Sequence, residues 1–338
     1  MARQINPSLA RLWQDHDLRL YGSSQKHLVK VESEAQNRAL DLLENGLTNS
    51  QFDNLSDLAK IDETELNSLL NRLAPLIAKT TSFLPEITPE EVESRFAEIL
   101  RLFSLGDADP AANLKKRRLS QVFVSTLSRP GLLAIKALYT IGVGKALTFD
   151  GTKVRQQDVC ELGYNHQALG LTKHHAAQQM LSKSNASLQL HSRLTENLTQ
   201  VNAAILISND VVTPDSYQTW LQREVPHISV CFTETGCEIS HVVMPGKTPC
   251  LGCLEISKSK RDPDRIAIAT QLTSLNRDFA DSSTLLSAIG IAIGRIAQVL
   301  DGREPRGLDG KVIELSRTTG EVVPIDLLET NCACRMRI

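Results

Sequence analysis

Cys250-Leu-Gly-Cys253 and Cys332-Ala-Cys334 set four thiols into two short pairs at well-separated points of the chain. Each pair has the knuckle spacing of metal ligands, and together they supply the four thiolates of a closed tetrahedral zinc site. Four sulfur ligands leave no open position for water, so such a zinc would be structural and would tie the C-terminus back onto the fold. A redox pair is the other reading of a single Cys-x-x-Cys. Of the remaining cysteines, Cys231 lies in an apolar run and reads as a small buried hydrophobe. Nothing adjacent in sequence activates Cys160 or Cys237 as a nucleophile. The eight histidines are scattered. They give no metalloprotease motif, no catalytic triad accompanies them, and there is no Walker A sequence. No residue is assigned a catalytic role.

A second group of residues has the placement of a nucleotide site. Val122, Phe123 and Val124 form a β-type run that leads through a turn into an amphipathic helix, with Leu132, Leu133, Ile135, Leu138 and Ile141 on one face. A second apolar run, Ala146 to Phe149, ends on Asp150, and "AAILIS" ends on Asn209-Asp210. In a fold that cradles phosphates the first turn carries G-x-G-x-x-G, so that bare backbone can approach the ligand. Here the three glycine positions hold Thr126, Ser128 and Gly131, with Arg129 between them as a possible guanidinium substitute.

The elements that must position these residues alternate β and α from Gln121 onward. A helix over 172–184, a strand near 188–191, the strand ending at Asp210, a helix over 214–224 and the strand "HISVCFTE" follow in turn. This predicts an α/β, doubly wound, Rossmann-like sheet, with ligands at the carboxyl ends of its strands. The N-terminal part differs. "DLRLYG" and "HLVKVES" read as a strand pair and are followed by three helices: one over 35–44, one capped by Thr48 or Asn49, and one capped by Asp62. Phe52, Leu55, Leu58 and Ala59 are expected inward on the second, and Leu66, Leu69, Leu70, Leu73 and Ile77 on the third. That order suggests a small winged-helix-like α+β domain. The expected domains are 1–80, a helical linker 81–118 with a helix starting at Thr88, and 119–338. The basic run Lys115 to Arg118 reads as solvated linker.

Bulk properties exclude several classes. The 338 residues are 41% hydrophobic and 22% charged, with a formal net charge of -2. Within residues 1–79, nine Lys or Arg face eleven Asp or Glu, and the third helix opens Asp-Glu-Thr-Glu. A duplex-binding surface should be basic, so nucleic acid is not the expected partner. The polar stretch 1–20 has no apolar h-region of the kind a signal peptide carries, and the apolar stretch 285–300 is interrupted by Arg295. A core or interface helix and a cytoplasmic protein are expected, with cysteines as thiols or metal ligands.

The order of these features resembles the ThiF/MoeB/HesA family, relatives of the ubiquitin-activating enzymes, over roughly residues 119–335. Its most specific parts are Thr-Pro-Cys-x-x-Cys and the tail "LDGKVIELSRTTGEVVPIDLLETNCACR". The resemblance implies a ThiF-type sheet that binds ATP and magnesium and adenylates a C-terminal carboxylate. It implies Asp150 at the ribose, Lys173 near the phosphates, Asp210 on magnesium, and Cys250, Cys253, Cys332 and Cys334 on zinc. The departures imply a degenerate ATP site. Only Gly131 survives from the loop, and "DVCELGYN" holds neither the Arg nor the Gln of the family's Asn-x-x-Arg-Gln segment. The N-terminal domain is similar to the leader-peptide-recognition domain of family members in ribosomal peptide (bacteriocin-type) pathways. There it would take a precursor peptide as an added strand beside "HLVKVES" and present it to a partner such as a YcaO-type enzyme. The family also implies a homodimer. Two alternatives are an active adenylyltransferase using Asp150, Lys173, Asp210 and Arg129, and a regulatory winged-helix binding protein.

Overall fold

The computed structural model describes residues 2–15, 17–80, 89–107, 109–183, 189–192, 200–275, 277–304, 310–332 and 334. The expected helix start at Thr88 lies outside these residues. The chain divides into two compact units, Met1–Lys115 and Lys116–Ile338.

The first unit begins with β1 (Ala2–Ile5), β2 (Arg11–Asp15), β3 (Leu18–Tyr21) and β4 (His27–Lys30). Next come α1 (Glu34–Asn45), β5 (Leu47–Thr48), α2 (Asn49–Asp53), α3 (Leu55–Ala59), α4 (Glu63–Leu73) and β6 (Ile77–Thr80). Then α5 (Pro89–Ser94) and α6 (Phe96–Ser104) lead to α7 (Pro110–Leu119), in which this unit ends. The helix starts are written in the sequence. Ser33 caps α1, Thr48 and Gln51 form a reciprocal capping box on α2, and Asp62 accepts from the Thr64 and Glu65 amides at α4. Leu40, Leu43, Leu55, Leu69 and Leu73 are fully buried between these helices. Two expectations fail in detail. Leu58 is 48% exposed, because α2 and α3 break at Asn54 and turn it outward. Ile77 belongs to β6, which pairs with β1 rather than extending α4.

Two three-stranded sheets, ordered β5-β1-β6 and β2-β3-β4, complete this unit. Arg19 on β3 is 4% exposed and binds Asp41, Glu44 and Asn37 of α1. Glu44 also accepts from the Tyr21 hydroxyl at 2.6 Å. This polar bolt fixes β3 on α1, since a buried guanidinium is tolerated only when paired.

The second unit contains β7 (Gln121–Val124), α8 (Arg129–Thr140), β8 (Lys145–Leu147), α9 (Lys173–Lys183), β9 (Gln189–His191), β10 (Val201–Asn209) and α10 (Pro214–Gln222). It continues with β11 (His227–Thr233), β12 (Gly236–Ile239), α11 (Leu251–Arg261), α12 (Arg265–Leu272), α13 (Ser282–Leu300), β13 (Lys311–Ser316) and β14 (Val322–Asp326). Its eight strands form one sheet in the order β14-β13-β12-β11-β10-β7-β8-β9. Strands β9, β8, β7, β10 and β11 are parallel, and the remaining three are antiparallel. The chain winds outward from β7 to β9, then returns to lay β10 on the other side of β7. The strand order therefore reverses between β7 and β10, and a crevice opens at their carboxyl ends.

Helices α8, α9 and α13 supply the core on one sheet face, and α10 and α11 supply it on the other. Helix α13 is long and apolar enough to pass for a membrane span, with a mean hydropathy of 1.5. In the fold its Leu285, Ala288, Ile289, Ala292 and Ile296 are buried in the larger core. The basic run lies on α7, where Lys116 and Arg118 are exposed as expected, but Arg117 is fully buried against Asp301, with Nε and Nη2 each 2.7 Å from a carboxylate oxygen.

Candidate functional site

The crevice at the β7/β10 reversal has a volume of about 740 Å³. Its floor is the turn after β7, where Ser125, Thr126 and Ser128 line it directly. Ser128 is the N-cap residue of α8, and Pro130 occupies the first turn, which needs no amide donor there. Gly131 is required for a packing reason: a Cβ on it would lie 1.7 Å from the Thr126 carbonyl oxygen. The surviving glycine seats α8 on its own turn.

Asp150, just past β8, faces that turn. Its Oδ2 accepts from the Leu127 amide at 2.7 Å and the Thr126 hydroxyl at 3.0 Å. Its Oδ1 accepts from the Thr152 amide at 2.9 Å and hydroxyl at 2.5 Å. Burial works to raise the carboxyl's pKa, but the Thr152 and Leu127 hydrogen bonds and the Lys173 charge outweigh it, and the net shift is downward. Asp150 is therefore an ionised acid whose two oxygens are both engaged by its own loops. Tyr164, 1% exposed, donates to the Leu127 carbonyl at 2.9 Å and bolts the turn from behind.

Lys173 opens α9 and is 8% exposed, with Nζ 3.4 Å from Asp158 Oδ1. Asp158, itself buried, also accepts from the Arg155 amide at 2.9 Å. The expected Arg and Gln are absent from the stretch after Asp158, yet Arg155 and Gln157 line the crevice from the short segment before it. Sequence reasoning passed over both, although only Gly151 and Thr152 separate Asp150 from "KVRQQD". A hydrophobic shelf closes the other side: the Phe123 ring lies 5.2 Å from Phe149 and 4.4 Å from Trp220, centroid to centroid. Ser216 and Thr219 of α10 complete this wall.

The remaining site residues are drawn together differently from expectation. Arg129 sends Nη2 to Asp278 at 3.1 Å. Asp210, 7% exposed, sits at the end of β10 with φ +62°, a left-handed backbone uncommon outside glycine and typical of functional turns. Its carboxylate is held bidentately by Arg277, through Nε at 3.0 Å and Nη2 at 2.5 Å. Magnesium, which the family resemblance places on Asp210, does not fit that carboxylate as it stands. Arg277 and Asp278 belong to a segment between α12 and α13 that no sequence spacing links to β10.

The four cysteines do converge. Cys250 caps α11 and Cys253 lies in its first turn, while Cys332 and Cys334 arrive on the tail beyond β14. The tail is fixed by the Leu328 amide on Ser257 at 2.9 Å and by Lys260 on the Glu329 carbonyl at 2.5 Å. All four sulfurs lie within 4.8 Å of one another, with separations of 3.8, 3.8 and 3.5 Å along three of the edges. A tetrahedron with metal–sulfur bonds of about 2.3 Å has edges of about 3.8 Å, so the cluster is sized to hold a metal ion. Disulfide bonding would need a separation of about 2.05 Å.

No protein-family model matches the chain. It is 24% identical over 283 residues to ubiquitin-like modifier-activating enzyme 5 of Arabidopsis thaliana, covering 72% of this chain and 61% of that protein. The crystal structure of E. coli MccB with AMPCPP and MccA superposes with a TM-score of 0.72 at 14% identity over the whole of both chains. The Microcin C7 biosynthetic enzyme MccB in complex with N-formylated MccA gives 0.69 at 13%, over 99% of this chain and 100% of that one. PaaA gives 0.64 at 16%, over 82% of this chain and 95% of its own. The chain resembles the ThiF/MoeB/HesA proteins and carries their fold. In ThiF-type terms, Asp150 and Lys173 flank the crevice at the β7/β10 reversal, Asp210 is paired with Arg277, and the cysteine cluster packs into the core that also holds Phe123 and Trp220. The chain spans about 61% of the length of the plant enzyme it matches.

Proposed function

We propose that this chain is a precursor-peptide-binding protein of ThiF-type fold, with a degenerate ATP site, that presents a ribosomally made peptide to a partner modifying enzyme. The observation that carries the reading is the state of Asp150. A ribose-binding acid needs free lone pairs, and here Thr126, Leu127 and Thr152 fill both oxygens. Thr126 and Ser128 add side chains where backbone should meet phosphate, and Arg129 is turned to Asp278. The peptide half of the reading draws support from the MccB structures that contain MccA.

In the first unit, β4 is an edge strand whose Leu28 is 55% exposed. Helix α4 runs beside it, with Arg72 reaching the Lys30 carbonyl at 3.1 Å and Glu65 accepting from Ser33. A peptide strand added along β4 would find main-chain partners on one side and α4 on the other. On this reading the unit is a winged-helix-like recognition domain and the partner is an enzyme of the YcaO type. The four thiolates hold a structural zinc, the protein is a cytoplasmic homodimer, and it acts through binding.

An active adenylyltransferase is the second reading. It is favoured by the open crevice that Lys173 and Arg155 line and by the MccB structure that contains AMPCPP. Calorimetric titration of the zinc-loaded chain with MgATP, repeated on Asp150→Ala, separates the two. Silence at millimolar MgATP is the expected result. Micromolar binding lost in Asp150→Ala would replace the first reading by the second.

A further inference from the structure

We infer that Arg277 occupies the cation position at Asp210, so that this crevice takes up no divalent metal there and any ligand it admits is bound without one. Three features of the geometry support this. First, both carboxylate oxygens of Asp210 are taken in a fork, Nε to Oδ2 and Nη2 to Oδ1, the strongest pairing available between the two side chains. Second, the Asp210 side chain is 5% exposed, so its charge must be met by a neighbour, and the neighbour that meets it, Arg277, is one of the residues lining the crevice.

Third, Arg277, although 35% exposed at the side chain, is held by further contacts. Its guanidinium lies 4.7 Å from the Phe279 ring centroid, and Nη1 is 3.7 Å from Glu234. The segment that carries it is pinned by Arg317, which donates to the Phe279 carbonyl at 2.6 Å, to Asp281 at 3.1 Å and to the Thr233 carbonyl at 2.9 Å. The neighbouring acid, Asp278, is engaged by Arg129 and the Ala280 amide. A hard divalent cation needs several oxygens in an open shell, and to reach Asp210 it would have to expel a like-charged group from a fork already closed. Occupancy by metal and by Arg277 is therefore mutually exclusive. The inference rests on the Asp210–Arg277 geometry alone and holds whether or not the crevice binds a nucleotide.

The test is manganese titration followed by electron paramagnetic resonance on the full chain. Its cysteine cluster would be loaded with zinc beforehand, so that the soft thiolates are not in play. Wild-type protein and Asp210→Asn should show the same manganese binding. Arg277→Gln should gain one manganese site per chain, at least tenfold tighter than any in wild type, and Asp210→Asn on that background should remove it. Arg277→Lys, which keeps the charge, should behave as wild type. A wild-type manganese site that disappears in Asp210→Asn overturns the inference. So does the absence of any new site in an Arg277→Gln protein whose near-ultraviolet circular dichroism is native. If Arg277→Gln does not fold, the comparison of wild type with Asp210→Asn and Arg277→Lys decides alone.

Discussion

Arg117→Met is the perturbation with the clearest expected magnitude. Arg117 and Asp301 are both 0% exposed at the side chain, and the guanidinium makes two carboxylate bonds of 2.7 Å and a third, at 2.9 Å, to the Ile141 carbonyl. Methionine keeps most of the stem's packing but leaves Asp301 buried without its cation. Asp301 is also the C-cap of α13, where the helix dipole disfavours a negative charge. Removing one member of a buried pair costs about 3–5 kcal/mol, far more than an exposed pair contributes. With a urea m-value of about 2 kcal/mol/M, the unfolding midpoint should fall by roughly 1.5–2.5 M. Trp220 lies in the same unit and reports the transition by fluorescence. Arg117→Met combined with Asp301→Leu should recover most of the loss, because an apolar replacement of a whole buried pair is often neutral. A shift under roughly 0.5 M for the single variant, or a double variant no better than the single, would refute the argument that the pair's burial controls the cost.

Other expectations follow from the same structure. His227 is 0% exposed and burial pushes its pKa from 6.5 down to about 4, so the unfolded chain binds the extra proton between those values. Its stability contribution is intact above pH 6.5 and is lost as pH falls through 4. Urea melts should show roughly 2 kcal/mol less stability at pH 5 than at pH 7, and His227→Gln should flatten that limb. Gly131→Ala forces a Cβ onto the Thr126 carbonyl and should destabilise by about 2–3 kcal/mol or more, since backbone cannot step aside as a side chain can. On the proposal that the cysteine cluster holds a structural zinc, stripping the metal, or Cys332→Ser, should release the tail from α11, seen as new protease cleavage after residue 326.

What could be read in advance was whatever depends on local period and spacing. The β/α alternation of the second unit, the Asp62 cap, a cap at Thr48 or Asn49, and the convergence of the four cysteines all follow from residues close in sequence or from paired spacings. Strand β5 escaped because two residues are too few for alternation to register, whereas β1, β2 and β6 went unread although β3 and β4 are no longer than they are. Leu58 was misplaced because an unbroken helix was assumed across Asn54. The basic run misled for a different reason. Lys115 to Arg118 has the composition of a solvated face, and only the distant Asp301 decides that one of its four charges goes inside. The same applies in the crevice, where Arg277 meets Asp210 across 67 residues of chain. Charge partners of this kind leave no periodic trace, so the sequence could propose the acids without showing what already holds them.

The partners of Asp150 set a separate energetic problem for a nucleotide bound with its ribose on that acid, as the family resemblance implies. A ribose hydroxyl approaching Asp150 would have to displace the Leu127 amide and the Thr126 hydroxyl from Oδ2, or the Thr152 pair from Oδ1. Hydrogen bonds to a charged acceptor contribute roughly 1.5–3 kcal/mol each, so losing two without replacement would cost about 3–6 kcal/mol. At about 1.4 kcal/mol per decade, that lowers affinity by roughly two to four orders of magnitude. The displaced Leu127 amide would in addition need a new acceptor, and Tyr164 holds that residue's carbonyl in place. Thr126→Gly removes the competing hydroxyl and the Cβ together while leaving the Leu127 amide bond to Asp150. If occupancy of Asp150 is what closes the crevice, this variant should gain some MgATP affinity in calorimetry but stay well short of micromolar binding. Full micromolar binding from that single change would place the block in the Thr126 side chain alone and remove Asp150 from the argument.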